Sequence, residues 1–354
     1  MPNRNPISPG RFYPAEAQLL FEQVEACYRH PLGLGEFPPS NSDLVDSRPA
    51  KLPLVLIVPH GALGHSGPIA AHAYSWLEAW AAAEHGSLPR LMVLLGPDHL
   101  GRGAAISTTA LNYATPLGTI PTDQGLVRRL CEQAQQEGFG DRLADAPAGH
   151  CEEHALENQV PFIQHLAWRL SGEPGVSFPP RQGFAQLPNL LPITMAAQDL
   201  ATAETLARLL DAVLPSDGIV FLVTSDMSHC GALYGNLPPS AVSNADGIAT
   251  WCKQQRKLAV QAIESMNAAH LIDSFYEQRL SMCGLGCVAT AITFARLRGA
   301  TSTQVLASSD SVAVAKGWCG HVPTDSYGNA LYPWNLLSEV DPQNPVGFAA
   351  LALF

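Results

Sequence analysis

Three unbroken apolar runs of this chain end on a histidine: LVLIVPH closes at His60, LMVLLGPDH at His99 and IVFLVTSDMSH at His229. Runs so rich in Val, Leu and Ile, with no polar residue alternating, suit strands buried on both faces, as in a largely parallel sheet covered by helices. Pro, Gly or Asp interrupts each run shortly before the imidazole, the mark of a strand emptying into a loop. Open α/β sheets bind ligands beyond the carboxyl ends of their strands. Three imidazoles delivered to that edge by remote segments therefore outline a candidate site.

The rest of the chain fits the same architecture. RFYPAEAQLLFEQVEACYRH reads as a turn and an amphipathic helix with Leu19, Leu20, Val24 and Cys27 at helical spacing. GPIAAHAYSWLEAWAAAEHG predicts a helix after His60, and AAISTTALNYATPLGTIPTD a β-rich excursion. Helices are predicted from Gln124 to about Gly138 and from Pro161 through Leu170; NLLPITM is read as a strand and DLATAETLARLLDAVL as a helix. Further helices are expected over 244–269 and 283–298, with TQVLASSDSVAVAK and PVGFAALALF as the last strands and 317–346 irregular. Strands alternating with helices give an α/β fold: a single domain, 1–354, with a mixed central sheet flanked by helices. The Pro-rich segments 31–53 and 172–187 read as surface connectors.

Charge and composition exclude several function classes. With 20 Lys+Arg against 31 Asp+Glu, the formal charge of -11 opposes nucleic acid and anionic membrane as partners. No stretch approaches the ~20 apolar residues of a membrane span, and MPNRNPISPGRFYP lacks the apolar centre of a signal peptide. A cytoplasmic location is the expectation. The 8 cysteines are scattered through a chain large enough to need no staples, and are read as free thiols.

His60, in VPHGALGHSG, and His99, in LLGPDHLGRG, repeat one arrangement of strand, Pro and His. Placed at adjacent strand ends about 5 Å apart, they would serve one cation. Asp98 is expected to orient an imidazole from behind. In TSDMSHCG, the spacing of Asp226 and His229 lets a carboxylate and an imidazole face one cavity, as proton transfer requires. Cys283 stands at the start of a predicted helix, where unpaired amides favour the thiolate that binds metals. EEHALENQ groups Glu153, His154 and Glu157, with His154 and Glu157 expected on one helical face as a second ring of partners. It lacks the second histidine of H-E-x-x-H, and neither Ser225 nor Ser228 lies in G-x-S-x-G. A zincin protease and a serine esterase are thereby disfavoured.

Taken in order, RFYPAEAQL, VPHGALGHSGPIAAHAY, LLGPDH, YATPLGTIPTD, EEHALENQVPFIQHL, VTSDMSHCG, CGLGCVATAI and VGFAALALF resemble the Memo family, also called AmmeMemoRadiSam system protein B, over nearly the whole chain. That family is similar in fold to class III extradiol dioxygenases of the LigB type. The resemblance implies metal-ligand positions at His60, His99 and Cys283, with His229 and Asp226 beside the pocket. The dioxygenases use a carboxylate where this chain has Cys283, and PHGAL here replaces the common PHAGY.

The expected function is that of a redox metalloprotein holding one ion, Fe(II) foremost, with copper or zinc as the other metals that two imidazoles and a thiolate accommodate. It would act on a small molecule with His229 moving protons. The rival readings are a protein that uses the same pocket to hold a peptide or partner, and a zinc-dependent hydrolase. AMMECR1-like and radical-SAM proteins are the partners that the resemblance implies.

Overall fold

The computed structural model describes residues 2–35, 53–84, 88–170, 187–239, 244–318 and 340–354. Of the Pro-rich segments 31–53 and 172–187, residues 36–52 and 172–186 lie outside the described residues, as do residues 319–339 of 317–346. The chain opens with strand β1 (Asn3–Arg4) and helix α1 (Ala17–Arg29), then β2 (Val55–Val58), α2 (Leu63–Glu84) and β3 (Leu91–Pro97). The β-rich excursion supplies β4 (Ile106–Thr108), β5 (Asn112–Thr115) and β6 (Gly118–Ile120), followed by α3 (Gln124–Gln136), β7 (Leu143–Asp145), α4 (Ala148–Cys151) and α5 (Val160–Leu170). After these come β8 (Asn189–Met195), α6 (Leu200–Val213), β9 (Ile219–Thr224) and β10 (Ser228–His229). The described chain closes with α7 (Ala245–Glu264), α8 (Ala268–Glu277), α9 (Leu285–Leu297), β11 (Thr303–Asp310), α10 (Ser311–Trp318) and β12 (Val346–Leu353).

A 9-stranded mixed sheet runs β10-β12-β2-β9-β3-β8-β4-β7, with β11 also paired to β12. Its centre, β2, β9, β3 and β8, is parallel, and antiparallel pairs form where β12 meets β2 and where β4 meets β8. The apolar runs are continuous because each face of this centre carries its own core. Val55, Ile57, Val93, Leu95, Phe221 and Val223 pack with residues of α3, α6, α8 and α9. The intervening Leu56, Val58, Met92, Leu94, Val220 and Leu222 pack with α1, α2 and α5 on the other face. Two cores divided by a period of two leave little room for polar residues in these strands, where Thr194 and Thr224 fall at or near the ends that lead to the site.

Two expectations need correction. β2 and β3 are not neighbours; β9 lies between them and pairs with both, so His60 and His99 flank the strand that leads to Asp226 and His229. The second half of TQVLASSDSVAVAK is helix α10, not strand. Asp310 accepts the amide of Ala313 at 2.9 Å, capping the helix start, and Val314 and Trp318 are buried four residues apart. The alternating Val-Ala pattern imitates a strand while its larger residues follow a helical face. Among the described residues no helix is long and apolar enough to cross a membrane.

The amino-terminal segment is tied down by a buried ion pair between Arg4 and Glu157, both side chains fully inaccessible. Arg4 also donates to the carbonyls of His150 and Glu153, at 2.6 Å each. Glu157 accepts from the amides of Ile7 (3.0 Å) and Ser8 (2.9 Å) and from the Tyr13 hydroxyl (2.6 Å). Removing one member of such a pair strands a buried charge. Arg4→Met is expected to cost on the order of 3–5 kcal/mol of stability, and Arg4→Met with Glu157→Gln distinctly less. Urea unfolding of the two variants checks this, and equal losses would contradict it.

Candidate metal centre

The loops leaving β2, β9 and β3 meet at one end of the sheet, and the residues before α9 close over them. His60 is 2% exposed. Its Nδ1 is engaged by Thr224 Oγ1 at 2.8 Å, which turns Nε2 toward Cys283 Sγ, 3.2 Å away. The His60 amide donates to Asp226 Oδ1 at 3.0 Å, and the Asp226 amide donates to Cys283 Sγ at 3.2 Å. Gly284 makes this approach sterically feasible. A Cβ there would lie 2.8 Å from both Thr224 O and Ser225 Cβ, so any side chain would push α9 and Cys283 off the end of β9.

His99 enters from the other side of β9. Its ring lies 5.2 Å from that of His60, nearly perpendicular to it. Glu153 holds it from behind, accepting from Nδ1 at 3.0 Å and from the His99 amide at 2.7 Å. With Nδ1 donating, Nε2 presents its lone pair to the cavity. Glu153 also lies 3.2 Å from His154 Nδ1 and accepts the amide of Ala155 at 2.8 Å, and the His154 ring stacks on His99 at 5.0 Å.

His60, His99 and Cys283 offer three ligand atoms within 4.8 Å of one another. Metal bonds of about 2.0–2.3 Å put the donors of one ion roughly 3–4.5 Å apart. Small side-chain adjustments close that difference, so the residues fit a single metal ion. Burial holds His60 neutral, its pKa lowered to about 3, and neutral imidazole is the coordinating form. For Glu153, burial alone would favour the acid, but the hydrogen bonds and charges of His154 and His99 outweigh it and hold its carboxyl well below the usual range. Burial likewise opposes protonation of His99, yet the bond to Glu153 and its charge raise its pKa above the ordinary value.

The other expected residues fall in several places. Asp226 and His229 face the same pocket, with His229 Nε2 3.9 Å from Asp226 Oδ2, an electrostatic distance longer than a hydrogen bond. Ser281 orients that imidazole instead, its carbonyl accepting from Nδ1 at 2.9 Å and its hydroxyl accepting from the His229 amide at 2.9 Å. Asp98 does not support an imidazole; its carboxylate accepts from the amides of Leu100, Gly101 and Gly103 and shapes the loop after β3. Glu157 and His154 do not share a face, because residues 153–156 form a turn and Glu157 points inward to Arg4 while His154 lines the pocket. The work expected of Asp98 and Glu157 falls to Glu153. Cys283 gains no thiolate from a helix dipole: α9 begins two residues later, and burial, then the charge of Asp226, pushes its thiol well above the ordinary value.

A pocket of about 500 Å³ opens beyond the donors, with His65, Phe12 and Phe348 among its walls and Leu233, Tyr234 and Asn344 near its mouth. Phe12 stacks on His154 at 4.3 Å and 21°. The sequence pattern places Phe12 in an opening turn and gives no sign of this contact.

The sequence model of a family described as Memo-like protein matches residues 4–320. A MEMO1 family protein of Methanopyrus kandleri is 31% identical over 306 residues, covering 86% of this chain and 90% of that one. A MEMO1 family protein of Thermococcus kodakarensis is 30% identical over 316 residues, covering 88% and 94%. A crystal structure of an uncharacterized protein from Escherichia coli K12 aligns over 84% of this chain and 99% of that one at 11% identity and a TM-score of 0.42, too loose a match to add to the family assignment.

If Glu153 sets the tautomer and direction of His99, its loss weakens metal binding without unfolding the chain. Glu153→Ala is expected to lower the affinity for Zn²⁺, used as a probe, on the order of 10- to 100-fold. Competition with a chromophoric chelator measures this; unchanged affinity in a folded variant would dismiss Glu153 as a support.

Proposed function

The chain belongs to the Memo-like protein family, and from that premise we propose a metal-dependent oxidoreductase acting on a small molecule, with one redox ion, Fe(II) foremost, held by His60, His99 and Cys283. The observation that carries the reading is the convergence of one ring nitrogen of His60, one of His99 and Sγ of Cys283 from three remote segments. Thr224 and Glu153 occupy the opposite ring nitrogens of the two imidazoles. Three donors on one side leave the pocket side open, as catalytic metal sites require and closed structural sites do not. A redox ion held by these three residues would supply electron exchange with O2 and polarisation of a substrate oxygen.

The remaining steps belong to the chain. His229, with its Nδ1 proton committed to Ser281 O, presents Nε2 as a base to a substrate hydroxyl in the pocket. Asp226, 3.9 Å from that nitrogen, steadies the imidazolium that results. Phe12, Val346 and Phe348 form an apolar wall that limits water at the donor end.

The test is metal analysis of protein purified without oxygen, followed by O2 uptake in the presence of catechols. One equivalent of iron or copper is expected, lost in both Cys283→Ser and His99→Ala, and uptake is expected to fall at least tenfold in His229→Ala with metal retained. Full metal content in both ligand variants would refute the centre. Stoichiometric zinc with no uptake would replace the redox reading by hydrolysis, and metal without any turnover would favour a binding role.

A further inference from the structure

We infer that Arg11 is the anion anchor of the pocket, and that the ligand is a small acid with an apolar, planar body whose other end reaches the histidine cluster. The inference deepens the preceding reading by naming the ligand class for that same pocket. Among the described residues lining the pocket, Arg11 is the only Arg or Lys. Its side chain is exposed and forms no ion pair among the described residues, in contrast to Arg4, which is buried against Glu157. The acids that share the pocket are otherwise engaged. Asp341 accepts from the Gln343 amide at 2.9 Å and from Asn344 Nδ2 at 2.6 Å, and Asp226 faces the imidazoles.

The position of Arg11 is built, not incidental. Its guanidinium carbon lies 5.9 Å from the Phe12 ring centroid, and that ring in turn stacks on His154. Arg11, Phe12, His154 and His99 thus form one column from the mouth to the donors. The turn that carries them is locked. The amides of Arg11 and Phe12 donate to Ser8 O at 3.0 and 2.8 Å, the Gly10 amide donates to Tyr13 O at 2.7 Å, and the Leu63 amide donates to Phe12 O at 2.9 Å. Gly10 takes the positive φ of 74° that the turn needs. Glu157 fastens both shoulders through the Ser8 amide and the Tyr13 hydroxyl. A rigid turn holds a planar cation at the mouth, where its fork matches a carboxylate or a phosphate group. Tyr234 and Phe348 supply faces for a planar body.

The test titrates the purified full-length chain, its metal content measured in the same sample, with 4-hydroxybenzoate, phenyl phosphate and uncharged 4-hydroxybenzyl alcohol by calorimetry. At least one acid is expected to bind roughly 10- to 100-fold tighter than the alcohol, the gain from one charge-assisted pair; which acid does so separates carboxylate from phosphate ligands. Arg11→Gln is expected to abolish that preference and leave alcohol binding unchanged, with Arg11→Lys in between because the fork is lost and the charge kept. No saturable binding of either acid, or a preference that survives in Arg11→Gln, overturns the anchor. An Arg11-dependent preference in protein that binds no metal leaves the anchor standing and removes the redox reading, whereas bound metal with no preference does the reverse.

Discussion

The structure turns on two buried carboxylates four residues apart, Glu153 and Glu157, which face opposite ways and hold different parts of the site. Glu153 takes His99 and His154 and fixes which nitrogen each offers to the pocket. Glu157 takes Arg4, Tyr13 and two amides of the amino-terminal segment, and so brings Phe12 and Arg11 over the histidines. The residues that follow continue the pattern: Asn158 Nδ2 donates to His60 O at 2.8 Å, and Gln159 Nε2 donates to Pro59 O at 3.0 Å. One seven-residue stretch thus grips three of the segments that make the pocket. Such a cluster is tolerated in the interior only because almost every polar atom in it has a partner.

The sheet supplies what this stretch cannot. Parallel strands β2, β9 and β3 end at the same edge, and the central one sets the spacing of the other two. β9 puts Thr224 behind His60, Ser225 against Gly284 and the Asp226 amide on the Cys283 sulfur. His60 and His99 are separated by a whole strand and still meet, because each imidazole leans inward over the end of β9. This is the general logic of α/β sheets, in which chemistry gathers where strands finish and loops diverge.

Much of this was legible in the sequence, and the reason is physical. A strand buried on both faces tolerates almost no polar residue, so the apolar runs announce both the sheet and the place where it stops, and His60, His99 and His229 stand at those stops. Strand order was not legible: β2 and β3 follow one another in the chain, and nothing local says that β9, more than a hundred residues later, will insert between them. Nor could the pattern distinguish Glu153 from Glu157 or Asp98, since all three are acids near a histidine and the choice depends on a turn at residues 153–156 that breaks helical spacing. Phe12 and Arg11 were hidden for a related reason. Their turn is brought to the pocket by long-range contacts, foremost the buried pair of Arg4 and Glu157, 153 residues apart in the chain.

The charge distribution says why a cysteine suits this position. Cys283 receives one backbone amide, from Asp226, while the carboxylate of that same residue and burial both oppose a second negative charge. His60 cannot compensate, because burial holds it neutral. A thiolate beside Asp226 therefore becomes stable only with a cation next to it, and a divalent ion offset by one thiolate and one carboxylate is neutral overall. Replacing Cys283 by a carboxylate would keep that count but exchange a soft donor for a hard one, moving the preference away from thiophilic metals. Relative to a carboxylate, the sulfur would keep the charge count of this position and change which ion the donor set favours.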